Sequence, residues 1–361
     1  MHGNESASAY APAVVKLFGE HAVVYGELSV GAAVDMYAYS HIEKSAAAGP
    51  ASNFYLYLED LKIGSQISIA ALKELYRQFQ LQGFAEFSKK AEGYAFPYLF
   101  IASRLVEEHG IDLSGAKATI RSNIPIGKGL ASSAACSTAF TVSLLNYSSL
   151  RLDDRSIIEI ARDGERIAHR NQNAGAIDVS TTYHGGYVSF SKDSGAHQHE
   201  MHSNPSLLII DTGPKKSTAE TVGHVSEMYS KEKAKAELII KEIGKCSHEG
   251  LQALKNEDYA LAGRYMIEDH KLLDELGVST PALNAAVQLA VENGAFGAKL
   301  SGGGGGGIMI ALAPSDKIPS IEEAFKSLGM KTYAKRIAFE GAKSSIGNAD
   351  NARMNRDKMP I

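Results

Sequence analysis

Four short segments carry side chains able to do chemistry, and each sits beside glycine. In KLFGEHAVVYG, Lys16, Glu20 and His21 flank Gly19. A lysine two positions from Val14 shares its face of a strand, so Lys16 can aim inward at a site, although a charged surface turn accounts for the same residues. In PIGKGLASSAA, Pro125 to Ala135, glycines and serines open a helix. Its free N–H groups and the positive end of the helix dipole then converge on one spot, which is how an anion is held. The loop lacks the third glycine of a dinucleotide fingerprint and has no GK[ST] of a Walker loop. Tight packing of strand on helix would select similar small residues, but the adjacent hydroxyls of Ser132 and Ser133 can also bind phosphate or Mg²⁺. In KLSGGGGGG the run Gly302 to Gly307 lies between apolar strands. Each glycine costs roughly 0.5–1 kcal/mol against alanine in a regular element. A linker is one explanation; close backbone approach to a phosphate or to the other glycine loop is another. Glu165, on a helix, and Asp178, in the polar loop HRNQNAGAIDVSTTYHGG, read singly as solvated carboxylates. His169 shares a face with Glu165 at zinc-ligand spacing, but no third ligand follows at a recognisable interval. No GxSxG elbow marks a serine hydrolase.

The elements that position these segments follow from pattern. Tyr10 to Phe18 reads as a strand ending at Gly19, and Leu28 to Ser45 as a second extended region. A turn in AAAGPASN leads to a strand, NFYLYLE, and then to a helix near Ile69 to Leu81 with Leu72, Leu75, Tyr76 and Phe79 on one face. The next helix, Tyr94 to Glu108, stops at Gly110. The alternating AKATIRS, Ala116 to Ser122, is a half-buried strand that delivers the chain into the first glycine loop. Asp153 or Asp154 caps the helix carrying Ile157, Ile160, Ala161 and Glu165. Strands YVSFS and SLLIIDTG follow, then a helix opened by a Ser217–Glu220 capping box, further helices, and a β–β–α–β unit around the glycine run. Two α+β domains meeting near residues 185–210 fit this order: residues 1–190, residues 191–340, and a mobile polar tail from 341 to 361.

Composition sets the limits. The 361 residues are 44% hydrophobic and 22% charged, with a formal net charge of −4, as expected of an ordinary folded domain pair. No broad basic surface for nucleic acid or anionic membrane is expected, and no apolar run approaches the roughly 18 residues of a spanning helix. The start lacks a signal-like segment, so a cytoplasmic protein is expected. Cys136 and Cys246 read as reduced thiols. Glycine is the one departure, with 34 copies.

In this order, KLFGEHAVVYG, PIGKGLASSAA and KLSGGGGGG resemble the three motifs of the galactokinase, homoserine kinase, mevalonate kinase and phosphomevalonate kinase (GHMP) superfamily, over about residues 9–340. The intact GEHAVV is closest to the mevalonate kinases. The resemblance implies a ribosomal protein S5 domain 2-like N-terminal domain, a ferredoxin-like C-terminal domain, and ATP- and Mg²⁺-dependent phosphorylation of mevalonate by a possible homodimer. It implies that Gly127, Lys128, Gly129, Leu130, Ala131, Ser132 and Ser133 wrap the ATP phosphates, joined by Gly302, Gly303 and Gly304 of the third motif. Ser133 and Glu165 match Mg²⁺ ligands, and Asp178 matches the base that takes the acceptor proton. Glu20, His21 and Thr218 match positions that line the mevalonate site. Here the chain departs from the family: APAVVK has Val14 where APGKV has the catalytic lysine. Lys16 lies two residues later on the same face, about 6–7 Å along the strand, and is expected to reach the same transferring phosphate or hydroxyl.

Overall fold

The computed structural model describes residues 4–45, 52–201, 204–215 and 218–345. The first half alternates strands and helices: β1 Ser6–Phe18, β2 Ser29–Lys44, β3 Asn53–Leu58, β4 Ile63–Ser68, α1 Ile69–Lys89, α2 Phe96–His109, β5 Ala116–Ser122, α3 Ser132–Tyr147, α4 Asp154–His169 and α5 Ala176–His184. Strands β6 Tyr187–Ser191, β7 Gly195–His199 and β8 Ser206–Lys215 lead into a helical stretch. It comprises α6 Thr218–Lys231, α7 Lys233–Lys255, α8 Tyr259–Glu275 and α9 Pro281–Glu292. The chain ends with β9 Gly297–Leu300, β10 Gly306–Ala313, α10 Ile318–Lys326, β11 Lys331–Lys335 and β12 Lys343–Ser345.

Two sheets organise these elements. The first runs β12-β1-β2-β5-β3-β4, with β6 on the early half of β2 and β7 on β6; the β3–β5 pair alone among the described ladders is parallel. The second runs β11-β8-β10-β9, wholly antiparallel, the strand order of a ferredoxin-like sheet. Both of its faces are covered. Leu207, Ile209, Ile308 and Ile310 join the core shared with β1 and β2, whereas Leu208, Ile210, Met309 and Ala311 pack with Ile240, Leu273 and Leu283 of α7–α9. Period-two alternation thus makes this sheet the layer between the first domain and the second domain's helices.

The helix caps follow the expected chemistry. The Ser68 hydroxyl accepts from Ala71 N–H at the start of α1, and the Asp153 carboxylate accepts from Ser156 N–H at the start of α4. Helix α2 ends in left-handed Gly110. Helix α1 runs past Leu81 and kinks at Gly83. The Ser217 capping box lies outside the described residues.

Three expectations need correction. The polar stretch around Asp178 is not loop throughout: Ala176–His184 is helix α5. Its β-branched residues are poor helix formers but are buried, so tertiary packing overrides propensity. The charges of Glu20 and His21 do not mark a surface turn, since both residues are buried. The stretch from residue 341 does not begin as a mobile tail: Lys343–Ser345 pairs antiparallel with Ser8–Tyr10 and covers the outer edge of β1. Backbone pairing on an open edge needs no apolar periodicity, which is why the sequence pattern does not reveal it.

Candidate active site

Strand β1 is the spine of the site. A bulge between Lys16 and Phe18 breaks its register with β2, a device that re-aims a side chain. Three neighbours then grip successive stretches of its backbone. Thr182 of α5 donates to Pro12 O at 2.5 Å, Val14 N–H donates to Leu130 O of the first glycine loop at 3.1 Å, and Lys16 N–H donates to Ser301 Oγ at 3.0 Å. The segments carrying Asp178, the first glycine loop and the glycine run are therefore tied to one strand.

Lys16 Nζ lies 2.8 and 3.1 Å from the two carboxylate oxygens of Asp178. The pair is partly open, with side chains 20% and 21% exposed. Burial works against the Lys16 ammonium, but the Asp178 charge, with help from Glu20 and Glu165, more than offsets it and raises the pKa above its usual 10.5. Lys16 is therefore a firm cation at neutral pH. Glycine at position 31 of β2 makes the pairing sterically possible, because a Cβ there would lie 2.8 Å from Thr181 Oγ1 on α5. Ala134 of α3, Ala161 of α4 and Val179 of α5 form one small-residue cluster. That contact draws the helices of Ser133, Glu165 and Asp178 together.

Gly127, Gly129 and Ala131 all adopt positive φ, and Ala131 leads into α3 with no side chain capping the helix. The first amides of α3 thus keep their donors for an anion. Lys128 reaches across to β8, with Nζ 2.9 Å from Asp211 Oδ1 and 3.4 Å from Gly213 O. Glu165 is 3% exposed; its Oε2 is 3.5 Å from His169 Nε2, and its Oε1 is buried without a partner. This Glu165 contact, first among the causes, raises the His169 pKa above its usual value. An orphaned, buried carboxylate oxygen near an uncapped helix start suits a hard cation that completes its shell with hydroxyl and phosphate oxygens, which is the habit of Mg²⁺. Among the described residues no group of three or more His, Cys, Asp or Glu could hold a metal.

The glycine run closes the site from the second domain. It joins β9 to β10, and a Cβ at Gly302 would stand 3.5 Å from Gly129 O, so the two glycine loops meet backbone to backbone. Gly304 has φ +74° and a Cβ there would lie 2.2 Å from Val278 O, which excludes any side chain. His21 Nε2 lies 3.0 Å from Gly303 O, which makes it the protonated nitrogen of a neutral ring. Burial, chiefly, lowers the His21 pKa to about 4. Glu20 does not open to solvent: its Oε1 is 2.5 Å from Lys299 Nζ, which also lies 3.5 Å from Asp269 Oδ2. Lys299 and Ser301 are the first and third residues of KLSGGGGGG but were given no role there, and Asp269 lies outside every motif. The sequence signal for Lys299 is a lysine inside the apolar strand GAKL. The side chain of Thr218 lies outside the described residues.

An uncapped helix start opened by glycines, a carboxylate–ammonium pair and an orphaned carboxylate, set where two α+β domains meet, are the parts a small-molecule kinase needs. Family comparison agrees. Residues 97–186 match the GHMP kinases N terminal domain and residues 251–329 the GHMP kinases C terminal domain. Mevalonate kinase from Pyrococcus abyssi is 32% identical over 92% of this chain and 96% of its own length. That from Thermococcus onnurineus is 33% identical over 92% and 96%. The crystal structure of the Methanococcus jannaschii mevalonate kinase superposes with a TM-score of 0.76 at 26% identity, covering 91% of this chain and 98% of that one. The chain belongs to the mevalonate kinase family of the GHMP superfamily.

Proposed function

We propose that this protein is a mevalonate kinase that transfers the γ-phosphoryl group of ATP to the 5-hydroxyl of mevalonate. The observation that carries the chemistry is the half-open Lys16–Asp178 pair on a strand hydrogen-bonded to the phosphate-type loop. Phosphoryl transfer asks a protein mainly for positioning and charge neutralisation. Asp178 accepts the proton of the attacking hydroxyl. A carboxylate is a far weaker base than an alkoxide, so Asp178 needs a cation beside the developing alkoxide. Lys16 supplies that charge and, being firmly protonated, does not compete for the proton. This reading gives Lys16 the task that Val14 cannot perform, the bulge and the reach of a lysine compensating for the displacement along β1.

The uncapped amides of α3 and the loop Gly127 to Ser133 hold the phosphates, and Gly302 to Gly304 cover them from the second domain. Ser133 and Glu165 are the residues that would hold Mg²⁺, which would supply positive charge to offset that of the phosphates. His21 orients the third-motif loop through Gly303, and Thr218 is placed at the mevalonate site on the family resemblance. A homodimer is proposed on that same resemblance. An ATP-coupled assay with mevalonate, phosphomevalonate, homoserine and galactose tests the reading: ADP release with mevalonate, and a phosphate on the 5-oxygen, are expected. Turnover confined to another acceptor contradicts it.

A further inference from the structure

On β9 and the residue after it, alternation puts Ala298 and Leu300 into the core of the second domain's helices and leaves Lys299 and Ser301 on the opposite side, facing β1. Both make contacts there. Ser301 Oγ accepts from Lys16 N–H at 3.0 Å and lies 3.2 Å from Lys16 O, so it brackets the backbone of the one residue whose ammonium meets Asp178. Lys299, fully buried, holds Glu20 Oε1 at 2.5 Å and sits 3.5 Å from Asp269 Oδ2. Asp269 Oδ2 in turn accepts from Gly19 N–H at 3.3 Å. Residues 16, 19 and 20 are thus each gripped by the second domain.

The grip has work to do. The stretch from Lys16 to His21 contains the register bulge, Gly19 at φ +86° and His21 at φ +61°, a conformation that a residue with a side chain adopts only when its surroundings impose it. Two carboxylates against one ammonium also leave Glu20 Oε2 and Asp269 Oδ1 buried without partners, an arrangement that stability alone does not favour.

Resting on the reading of Lys16 as the transfer cation, we propose that Lys299 and Ser301 are positioning residues: a two-point clamp from the second domain that fixes the Lys16 backbone, and so the distance from its ammonium to the reacting oxygen. Neither touches substrate in this assignment. A misplacement of about 1 Å at a reacting centre can cost on the order of 10²-fold in rate. Loosening the clamp therefore lowers kcat and leaves KM for both substrates nearly unchanged.

The test measures kcat, both KM values and the melting midpoint for Ser301→Ala, for the triple variant Glu20→Gln/Asp269→Asn/Lys299→Met, and for Lys16→Met. The triple removes all three buried charges together, so no carboxylate is stranded. Ser301→Ala is expected to lower kcat about 5- to 10-fold with both KM values within about twofold, and the triple on the order of 10²-fold with KM for ATP within about twofold, cooperative melting being retained in both. Wild-type kcat in Ser301→Ala overturns the clamp, and so does a folded triple with wild-type kcat, which would make Lys299 a structural ion pair only. Should the triple fail to fold, Ser301→Ala decides alone. Lys16→Met with full kcat is a separate failure: it removes the reading of Lys16 itself.

Discussion

Two ion-pair centres lie close together in the chain, one at Lys16 of β1 and one at Glu20 just beyond its end, and they differ in access. Lys16–Asp178 is about one-fifth exposed; Glu20–Lys299–Asp269 is sealed. Both join elements far apart in sequence, and both contain a lysine that neutralises carboxylate. Access separates their chemistry. A half-open pair can be met by an incoming hydroxyl and still exchange partners, whereas a sealed one can only fix what it touches. The lesson is that charge near a reaction centre divides into groups that react and groups that hold, and that exposure tells which is which more directly than residue type.

Breaking the open pair has the largest effect. Asp178→Asn keeps the shape but removes the proton acceptor, and kcat is expected to fall about 10³-fold, within the range typical of a lost general base, with KM for ATP little changed. Lys16→Met is expected to cost on the order of 10²-fold in kcat. Steady-state ADP release measures both. Next comes the orphaned oxygen: Glu165→Gln is expected to raise the Mg²⁺ concentration for half-maximal rate about tenfold with little change in melting temperature, because Oε1 has no protein partner to lose and the Oε2 contact is to a half-exposed His169. A lower melting point with unchanged Mg²⁺ dependence would remove Glu165 from the metal site.

The sealed centre yields the smallest and most specific effect. Burial, first, and the neighbouring Glu20 charge raise the Asp269 pKa from 3.8 to about 7, against the pull of Lys299. Between those values the folded chain keeps a proton that the unfolded chain has released. This group therefore favours folding most at the acid end, loses that contribution as pH rises toward about 7, and is level above. Asp269→Asn should flatten the stability–pH curve over this window and raise the melting temperature at pH 8 relative to the parent. An unchanged slope in denaturant titrations at several pH values would contradict the raised pKa of Asp269.

Much of this was legible in the chain. KLFGEHAVVYG, PIGKGLASSAA and KLSGGGGGG mark the three places that the fold brings together, because glycines and helix-opening serines announce backbone geometry that few other tasks require. The α+β order and the strand–loop–strand around Gly302 to Gly307 were equally readable. Helix α5 was not, since AIDVSTTYH is short and rich in β-branched residues, and only its burial against α3 and α4 makes it helical. Strands β4 and β7 carry little apolar alternation and were missed as well. The Lys299–Asp269–Glu20 centre joins residues up to 279 positions apart, a pairing no local pattern encodes.

The central claim is that Lys16 and Asp178 act as one unit in the transfer step. A double-mutant cycle on kcat with mevalonate and ATP, built from Lys16→Met, Asp178→Asn and the double variant, tests it most directly. The account predicts strong non-additivity: the double variant should be no more than about threefold slower than Asp178→Asn alone. A double variant whose loss equals the product of the two single losses would show two independent residues, and would contradict the pair as the reacting centre.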